Sequence, residues 1–199
     1  IVQSLVGSEM CIRDRFIADE VQTGIGRTGK LLCCDHHGFK PDILILGKAI
    51  SGGVFPVSAV LSSSEIMDTI KPGEHGSTFG GNPLACKVAM AALKVIKDED
   101  LCKNAELMGN YFRDQLNLHF NKSKTVKLVR GKGLLNAIVI NDDENSDTAW
   151  NICLRLMKNG LLAKPTHGNI IRFAPPLTIS KNEMEVAIKI IVQTINEFD

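Results

Sequence analysis

The sequence has few aromatic residues, almost no net charge and no long hydrophobic run. One Trp and one Tyr provide no aromatic platform on which nucleic-acid bases could stack. The formal net charge is only +1, which gives no electrostatic reason to expect nucleic acid or an anionic membrane as a partner. No apolar run approaches the roughly 20 residues of a membrane-spanning helix. We therefore expect a soluble globular protein that has neither nucleic acid nor a membrane as a partner.

The cysteines lack the spacing of a metal site or of a redox pair. The sequence has six of them but no Cys-x-x-Cys motif and no zinc-binding pattern. We expect reduced thiols, no bound metal and an intracellular location, with the cytosol and the mitochondrial matrix both open. The six are Cys11, Cys33, Cys34, Cys86, Cys102 and Cys153.

The first 15 residues fit no targeting segment. They have no initiator methionine, and the acids Glu9 and Asp14 are out of place in a signal or transit peptide. The stretch resembles the translation of a sequencing adapter. We interpret it as a foreign leader and exclude it from the fold.

The most informative stretch is a short apolar run that is followed by a lysine and a glycine-rich turn. Residues 43–46 (ILIL) are typical of a strand buried on both faces. Lys48 follows this run, and an ammonium group at the end of a buried strand is costly unless it is paired, exposed or chemically committed. A lysine that only extends from the strand end into solvent is the alternative interpretation.

A second predicted strand places an acid in a comparable position. Residues 16–21 contain Asp19, 29 residues before Lys48. A pyridoxal 5′-phosphate site needs such an acid and a lysine at the carboxyl ends of adjacent parallel strands. The lysine carries the cofactor as a Schiff base, and the acid keeps the pyridine nitrogen protonated. The pair favours an α/β fold with a pyridoxal 5′-phosphate site.

Six segments, in order along the chain, resemble those of class III pyridoxal-phosphate-dependent aminotransferases. The first three point to the class, and the last three favour the branch of the class that uses ornithine. The resemblance covers residues 16–199, but only about half of a family member's length. The segments are residues 17–24 (IADEVQTG), 46–53 (LGKAISGG), 71–83 (KPGEHGSTFGGNP), 130–137 (RGKGLLNA), 160–168 (GLLAKPTHG) and 170–177 (IIRFAPPL).

The resemblance implies the fold type I architecture of pyridoxal-phosphate-dependent transferases. Residues 16–97 would be the C-terminal part of a large cofactor-binding domain with a mostly parallel sheet. Residues 98–199 would be a C-terminal α+β small domain. Sequence patterns predict further strands at 57–61, 134–140, 161–163 and 170–173, and helices at 64–70, 84–96, 101–120, 148–158 and 181–195.

The same resemblance assigns cofactor-binding roles to five residues. Lys48 and Asp19 would be the catalytic pair, and Gln22 would donate a hydrogen bond to the 3′-oxygen of the cofactor. Ser77 and Thr78 match the segment that reaches the cofactor phosphate of the neighbouring subunit. A complete site would therefore need a homodimer or a higher homo-oligomer. An ordinary glycine-containing loop that caps a helix is the alternative for residues 76–83.

Arg172 is the candidate substrate-binding residue. An arginine inside a hydrophobic strand is costly unless its guanidinium meets a carboxylate, although an edge-strand arginine can also face water. The resemblance implies that Arg172 binds the carboxylate of glutamate or 2-oxoglutarate. His167, nearby in sequence, is interpreted as a turn residue.

The implied reaction uses small-molecule substrates. The terminal amino group of L-ornithine would pass to 2-oxoglutarate, giving glutamate and glutamate 5-semialdehyde, which cyclises to pyrroline-5-carboxylate. Related aminotransferases acting on acetylornithine or 4-aminobutyrate, and a non-catalytic binding protein of this fold, are the alternatives. Other cofactor and ornithine contacts of the family lie upstream of this chain, so we expect the 199-residue chain itself to be inactive.

A glycine-rich segment after the first strand could suggest a different ligand. Gly24, Gly29 and Lys30 match most of a nucleotide-binding P-loop. Leu31, however, stands where that motif needs a hydroxyl, and no helical pattern follows. We interpret the segment as a glycine-rich surface turn.

Overall fold

The computed structural model describes residues 15–199, which form two compact units. The first unit contains residues 15–25 and 32–93, and the second contains residues 26–31 and 94–199. The chain therefore leaves the first unit after Ile25, contributes six residues to the second, and returns at Leu32.

Two predictions about chain organisation stay predictions. The proposed foreign leader falls almost entirely on residues 1–14, outside the described part of the chain. The functional division into residues 16–97 and 98–199 likewise stays a prediction. Within residues 15–199, no helix has the length and apolar character needed to cross a membrane.

The first unit is built on a three-stranded mixed sheet with the order β1-β2-β3. β1 (Ile17–Asp19) pairs in parallel with β2 (Ile43–Leu46), and β2 pairs antiparallel with β3 (Ala59–Ser62). β2 has the predicted bounds, as expected for four consecutive apolar residues. β1 is shorter than predicted because the chain turns at Glu20, whose carbonyl accepts the N–H of Gly24 at 3.0 Å.

Short helical turns and two α-helices complete this part of the chain. The 3₁₀ turns are Cys34–His36 and Lys48–Ser51, and the α-helices are α1 (Ser64–Met67) and α2 (Pro83–Asp98). Asn82 caps α2 through its Oδ1, which accepts the N–H of Ala85 at 2.9 Å. Asparagine before the helix and proline as its first residue are both favoured at a helix N-terminus.

The second unit packs three helices on a four-stranded antiparallel sheet with the order β4-β5-β7-β6. Its core is formed by apolar side chains of all three helices and of β4, β5 and β7. Leu116, Ile138, Ile171 and Ile191 are completely buried. The elements are α3 (Leu101–Phe120), β4 (Val126–Lys132), β5 (Leu135–Ile140), α4 (Thr148–Lys158), β6 (Lys164–Thr166), β7 (Ile170–Phe173) and α5 (Lys181–Asn196).

The helix ends in this unit follow local sequence signals. Ser180 and Glu183 form the predicted capping box at the start of α5. Gly160, with φ of 91°, ends α4 in a Schellman motif. The N–H of Gly160 donates to Met157 O at 3.1 Å, and the N–H of Leu161 donates to Leu156 O at 2.9 Å.

In this unit one strand was not predicted, and one strand prediction was wrong. β4 was not predicted, because lysines and an arginine on its exposed positions hide its apolar residues. The strand predicted at 161–163 begins instead at Lys164, which pairs with Arg172. Leu161 is used in the end of α4, and Leu162 is 84% exposed, so neither residue enters the sheet.

Candidate active site

The structure brings Asp19 and Lys48 to the same edge of a parallel strand pair. Asp19 is the last residue of β1 and lies opposite Ile45 of β2. β2 ends at Leu46, and Lys48 follows after a single glycine. Both Asp19 and Lys48 are exposed. The carboxyl ends of parallel strands are the usual place for ligands in open α/β sheets.

The backbone around Lys48 is unusual for a lysine. Its φ of 44° lies in the left-handed region, which costs a non-glycine residue about 1–2 kcal/mol. Gly47 permits the close approach of β2 to the turn after β1, because a Cβ there would lie 3.3 Å from Val21 Cγ1. Strain of this kind is concentrated at functional sites and motivates a functional hypothesis for Lys48.

The turn after β1 holds Asp19 and Gln22 in a defined arrangement. Asp19 Oδ1 accepts the N–H of Val21 at 3.1 Å, the short-range bond by which aspartate stabilises a turn. The turn closes with the bond from Gly24 N–H to the carbonyl of Glu20 at 3.0 Å. Gln22 is exposed within this turn, three residues beyond Asp19.

Glu20 has a structural function that the sequence patterns did not indicate. It is only 3% exposed, and its carboxylate accepts the N–H groups of Cys33 at 2.6 Å and Cys34 at 2.8 Å. The acid therefore closes the loop that leaves and re-enters the first unit. Burial, followed by the hydrogen bond and charge of Glu20, raises the pKa of the Cys34 thiol to about 11. The only signal in the sequence is the period-2 alternation along β1, which places Glu20 on the same buried face as Ala18.

The candidate phosphate-binding residues lie in an exposed loop before α2. Ser77 and Thr78 are both exposed, and Ser77 Oγ accepts the N–H of Gly80 at 2.9 Å. The neighbouring Phe79 is 79% exposed. The loop can therefore present hydroxyl groups outward, and its role toward a cofactor phosphate stays a prediction.

Arg172 lies in β7 of the second unit, between Ala137 of β5 and Lys164 of β6. Its neighbours Ile171 and Phe173 are buried in the core, so the alternation of the strand directs Arg172 to the opposite face of the sheet. The residue as a whole is half-buried. A carboxylate-binding role for Arg172 is compatible with this position and stays a prediction.

The glycine-rich segment after β1 is not the predicted surface turn. Thr28 is 3% exposed, and Gly26 and Gly29 are also buried. The N–H of Gly26 donates to Leu31 O at 3.1 Å, and the N–H of Gly29 donates to Gly26 O at 3.1 Å. These two amides bond within the segment, and only a 3₁₀ turn (Cys34–His36) rather than an α-helix comes next, so the segment does not have the geometry of a phosphate-binding P-loop.

Within residues 15–199, no group of three or more His, Cys, Asp or Glu side chains could hold a metal ion. His37 lies in a loop, where its ring stacks 6.4 Å from that of Phe39. His167 lies in the turn between β6 and β7 with φ of 52°, as expected for a turn residue.

Comparison with known sequences identifies the class of protein that has this fold and this arrangement of residues at the strand ends. The class-III aminotransferase family matches residues 9–195, and this chain belongs to that family. The predicted family and fold class are thereby confirmed. The chain is 57% identical over 192 residues to the mitochondrial ornithine aminotransferase of Rattus norvegicus, covering 96% of this chain and 43% of the relative. A mitochondrial ornithine aminotransferase of Drosophila melanogaster is 59% identical over 189 residues, covering 94% and 43%.

Solved structures show the same likeness. Acetylornithine aminotransferase from Elizabethkingia anophelis has a TM-score of 0.89 and 64% identity, covering 92% of this chain and 46% of that one. Ornithine aminotransferase from Toxoplasma gondii has a TM-score of 0.88 and 48% identity, covering 92% and 43%. The latter contains pyridoxal phosphate at partial occupancy in its active site. The chain spans less than half the length of the curated relatives named above.

Proposed function

We propose that the full-length protein containing this chain is a pyridoxal-phosphate-dependent aminotransferase. It transfers the terminal amino group of L-ornithine to 2-oxoglutarate and yields glutamate 5-semialdehyde, which cyclises to pyrroline-5-carboxylate, and glutamate. The observation that carries the proposal is the placement of Asp19 and Lys48 at the carboxyl ends of adjacent parallel strands in a class-III family member.

The residues present fit the cofactor. Neighbouring strands lie about 4.8 Å apart, so an acid and an amine at their ends can contact opposite sides of one small ring. Pyridoxal phosphate, when bound, supplies an electron sink for the charge that develops on a deprotonated substrate carbon. Asp19 would hold the proton on the pyridine nitrogen. Gln22, exposed in the turn beyond Asp19, would donate a hydrogen bond to the 3′-oxygen.

Lys48 would move the proton of the reaction. Its Nζ would take the proton from the substrate carbon that carries the amino group and return it later in the cycle. Its exposure and its position directly after β2 allow it to reach a ligand at this sheet edge.

The remaining assignments concern the phosphate and the second substrate. Ser77 and Thr78 would donate to the cofactor phosphate held by a neighbouring subunit, so the active form would be a homodimer or a higher homo-oligomer. Arg172 would bind a carboxylate of 2-oxoglutarate or glutamate through its two-pronged guanidinium. The proposed location is intracellular, in the cytosol or the mitochondrial matrix.

The Lys48 assignment is tested by reductive trapping. Borohydride treatment of the full-length protein with pyridoxal phosphate should attach the cofactor to Lys48, as identified by peptide mapping. A Lys48→Ala variant should lose this adduct and at least about a hundredfold of its transaminase activity, which is the lower range for loss of a general acid–base group. Lys71→Ala, in an exposed loop, is the matched control and should keep both.

Two outcomes would contradict the proposal. An unmodified Lys48 in a complete, cofactor-saturated protein would remove the enzyme assignment and favour the non-catalytic binding protein. A modified Lys48 without turnover of ornithine would support the assignment as an aminotransferase but would show that ornithine is not the amine donor.

Acetylornithine is the second candidate amine donor, since the 64% identical structure from Elizabethkingia anophelis is an acetylornithine aminotransferase. We favour ornithine, because the curated relatives from rat, fly and Schizosaccharomyces pombe are all named for it. Parallel assays of the full-length protein with ornithine, acetylornithine and 4-aminobutyrate distinguish the three. A kcat/KM higher with acetylornithine or 4-aminobutyrate than with ornithine would reverse the choice.

A further inference from the structure

The ladder between β5 and β7 ends where a proline prevents it from continuing. Asn136 of β5 lies opposite Phe173 of β7 in the last register pair. Two residues further along, the same register sets Leu134 opposite Pro175. Proline has no N–H group, so it cannot donate the hydrogen bond that would extend the sheet. The carbonyl groups at this end of the sheet need another donor.

Arg27 supplies that donor. Its guanidinium Nη1 donates to the carbonyl of Leu134 at 3.1 Å and to the carbonyl of Pro175 at 2.6 Å. Its own carbonyl accepts the N–H of Leu134 at 3.0 Å. One residue from the 26–31 segment therefore ties together the start of β5 and the end of β7. Burial lowers the pKa of the Arg27 guanidinium, which remains charged at neutral pH because its ordinary pKa is so high.

The backbone of the segment that carries Arg27 is tightly packed against its neighbours. A Cβ on Gly133, whose φ is 53°, would lie 2.4 Å from the carbonyl carbon of Thr28 and 2.6 Å from the nitrogen of Gly29. A Cβ on Gly29 would itself lie 3.1 Å from Glu106 Cβ. Such close backbone contact fixes where the Arg27 guanidinium can reach, since close-packed neighbours leave no alternative position.

Arg172 lies in β7, three residues before Pro175, which follows the end of the strand. Because β7 ends at Phe173, the backbone beyond Arg172 is held on one side by β5 and then by the contact with Arg27. A guanidinium binds a carboxylate best when its plane is aligned for two parallel hydrogen bonds. Small shifts in that alignment weaken binding.

We propose that Arg27 is a positioning residue for the dicarboxylate site at Arg172. It holds the β5 and β7 ends in register and so fixes the direction from which Arg172 meets the carboxylate of a 2-oxo dicarboxylate. The proposal rests on the proposed function, in which Arg172 binds that carboxylate.

The test uses three variants of the full-length holoenzyme. Arg27→Met removes the guanidinium. Arg27→Lys keeps a positive charge but replaces the planar guanidinium with a single ammonium group. Arg155→Met is the matched control, because Arg155 is a half-exposed arginine of the same unit that pairs with Glu197 at 2.6 Å. Glutarate affinity is measured by calorimetry, KM for 2-oxoglutarate in the steady state, and the ornithine half-reaction in a single turnover.

Arg27→Met should weaken glutarate binding and raise KM for 2-oxoglutarate about five- to tenfold, the range for loss of one net hydrogen bond in positioning. The single-turnover rate with ornithine should stay within about twofold of the wild-type rate, because positioning of the second substrate does not enter that step. Arg27→Lys should be intermediate, and Arg155→Met should match the wild type.

Three results would overturn the inference. They are unchanged glutarate affinity in Arg27→Met, an equal loss in both half-reactions, and a lowered melting temperature with no change in either substrate. If Arg27→Met does not fold, the Arg27→Lys variant is used instead. A glutarate affinity of Arg27→Lys equal to that of the wild type would overturn the inference. A wild-type protein that neither binds glutarate nor turns over ornithine would instead overturn the proposed function, and the inference with it.

Discussion

Asp19 and Glu20 are adjacent acids with opposite environments. Asp19 is exposed at the sheet edge, where a ligand can reach it. Glu20 is buried and hydrogen-bonded to two backbone amides and, at 3.4 Å, to the hydroxyl of Thr23. A buried carboxylate is tolerated only with such partners. One residue of this acidic pair is therefore available for chemistry, and the other stabilises the loop beside it.

Replacing Glu20 should destabilise the protein. Glu20→Ala leaves the N–H groups of Cys33 and Cys34 without their acceptor, at a cost of about 2–3 kcal/mol for buried donors. Glu20→Gln keeps one acceptor oxygen and should cost less. Urea unfolding of the full-length protein measures both values.

The loosened loop should also expose a thiol. Cys34 should react faster with a thiol reagent in Glu20→Ala, because opening of the loop removes the burial that keeps its pKa at about 11. Cys153 is an internal reference, since it is buried in α4. Its reactivity should not change. Unchanged stability together with unchanged Cys34 reactivity would contradict the role assigned to Glu20.

Helices and strands were predicted correctly from the sequence where a single local pattern defines them. β2, α3 and α4 have the predicted bounds because an unbroken apolar run or a helical period defines each of them. The start of α5 follows from its capping box. These elements could be predicted from neighbouring residues alone.

Where contacts distant in sequence decide the structure, the patterns were insufficient. β4 depends on pairing with β5 across a register shift between Val126 and Leu128, which period-2 alternation does not reveal. Thr28 and Gly29 pack against Gly133 and Glu106, which lie about a hundred or fewer residues further along the chain. Asp19 and Lys48 were predicted from strand ends. The contacts of Glu20 in the first unit and of Arg27 in the second were missed because their partners are backbone groups.

The capping box of α5 should make stability depend on pH. Hydrogen bonds from the backbone and then the hydroxyl of Ser180 lower the pKa of Glu183 below its ordinary value of 4.5. A lowered carboxyl pKa means that the stabilisation is complete above the unfolded pKa and is lost as pH falls through the folded pKa. The expected window therefore lies below pH 4.5.

Glu183→Gln isolates this contribution, because glutamine can cap a helix but does not titrate there. Thermal unfolding of the full-length protein between pH 6 and pH 3 should show a steeper loss for the wild type than for Glu183→Gln. Glu99→Gln, at an exposed position just after α2, is the control for general charge effects. Parallel curves for all three proteins would show that the box does not contribute.

The whole chain has two units with unequal cores. The second unit has a continuous cluster of buried apolar side chains, whereas the described residues of the first unit bury far fewer of them. Large apolar side chains of the first unit that are exposed include Val54, Val60, Phe79 and Met90. Exposed apolar groups in such number are a feature of interaction surfaces and of aggregation-prone chains.

The isolated 199-residue chain should therefore unfold in two steps. The first unit should unfold at lower denaturant concentration, because less apolar surface is buried in it. The folded chain should also bind the dye ANS and lack transaminase activity. Tryptophan fluorescence from Trp150 in α4 reports on the second unit alone, and far-UV circular dichroism reports on both. Coincident transitions by the two probes, or measurable turnover, would contradict this expectation.

The six residues at 26–31 make the second unit discontinuous in sequence. A single cut near residue 94 would release a C-terminal piece in which no guanidinium reaches Leu134 and Pro175. Dissection of this protein by limited proteolysis or by gene truncation must therefore keep that short peptide with the C-terminal piece, either by supplying it in trans or by grafting it onto a new terminus.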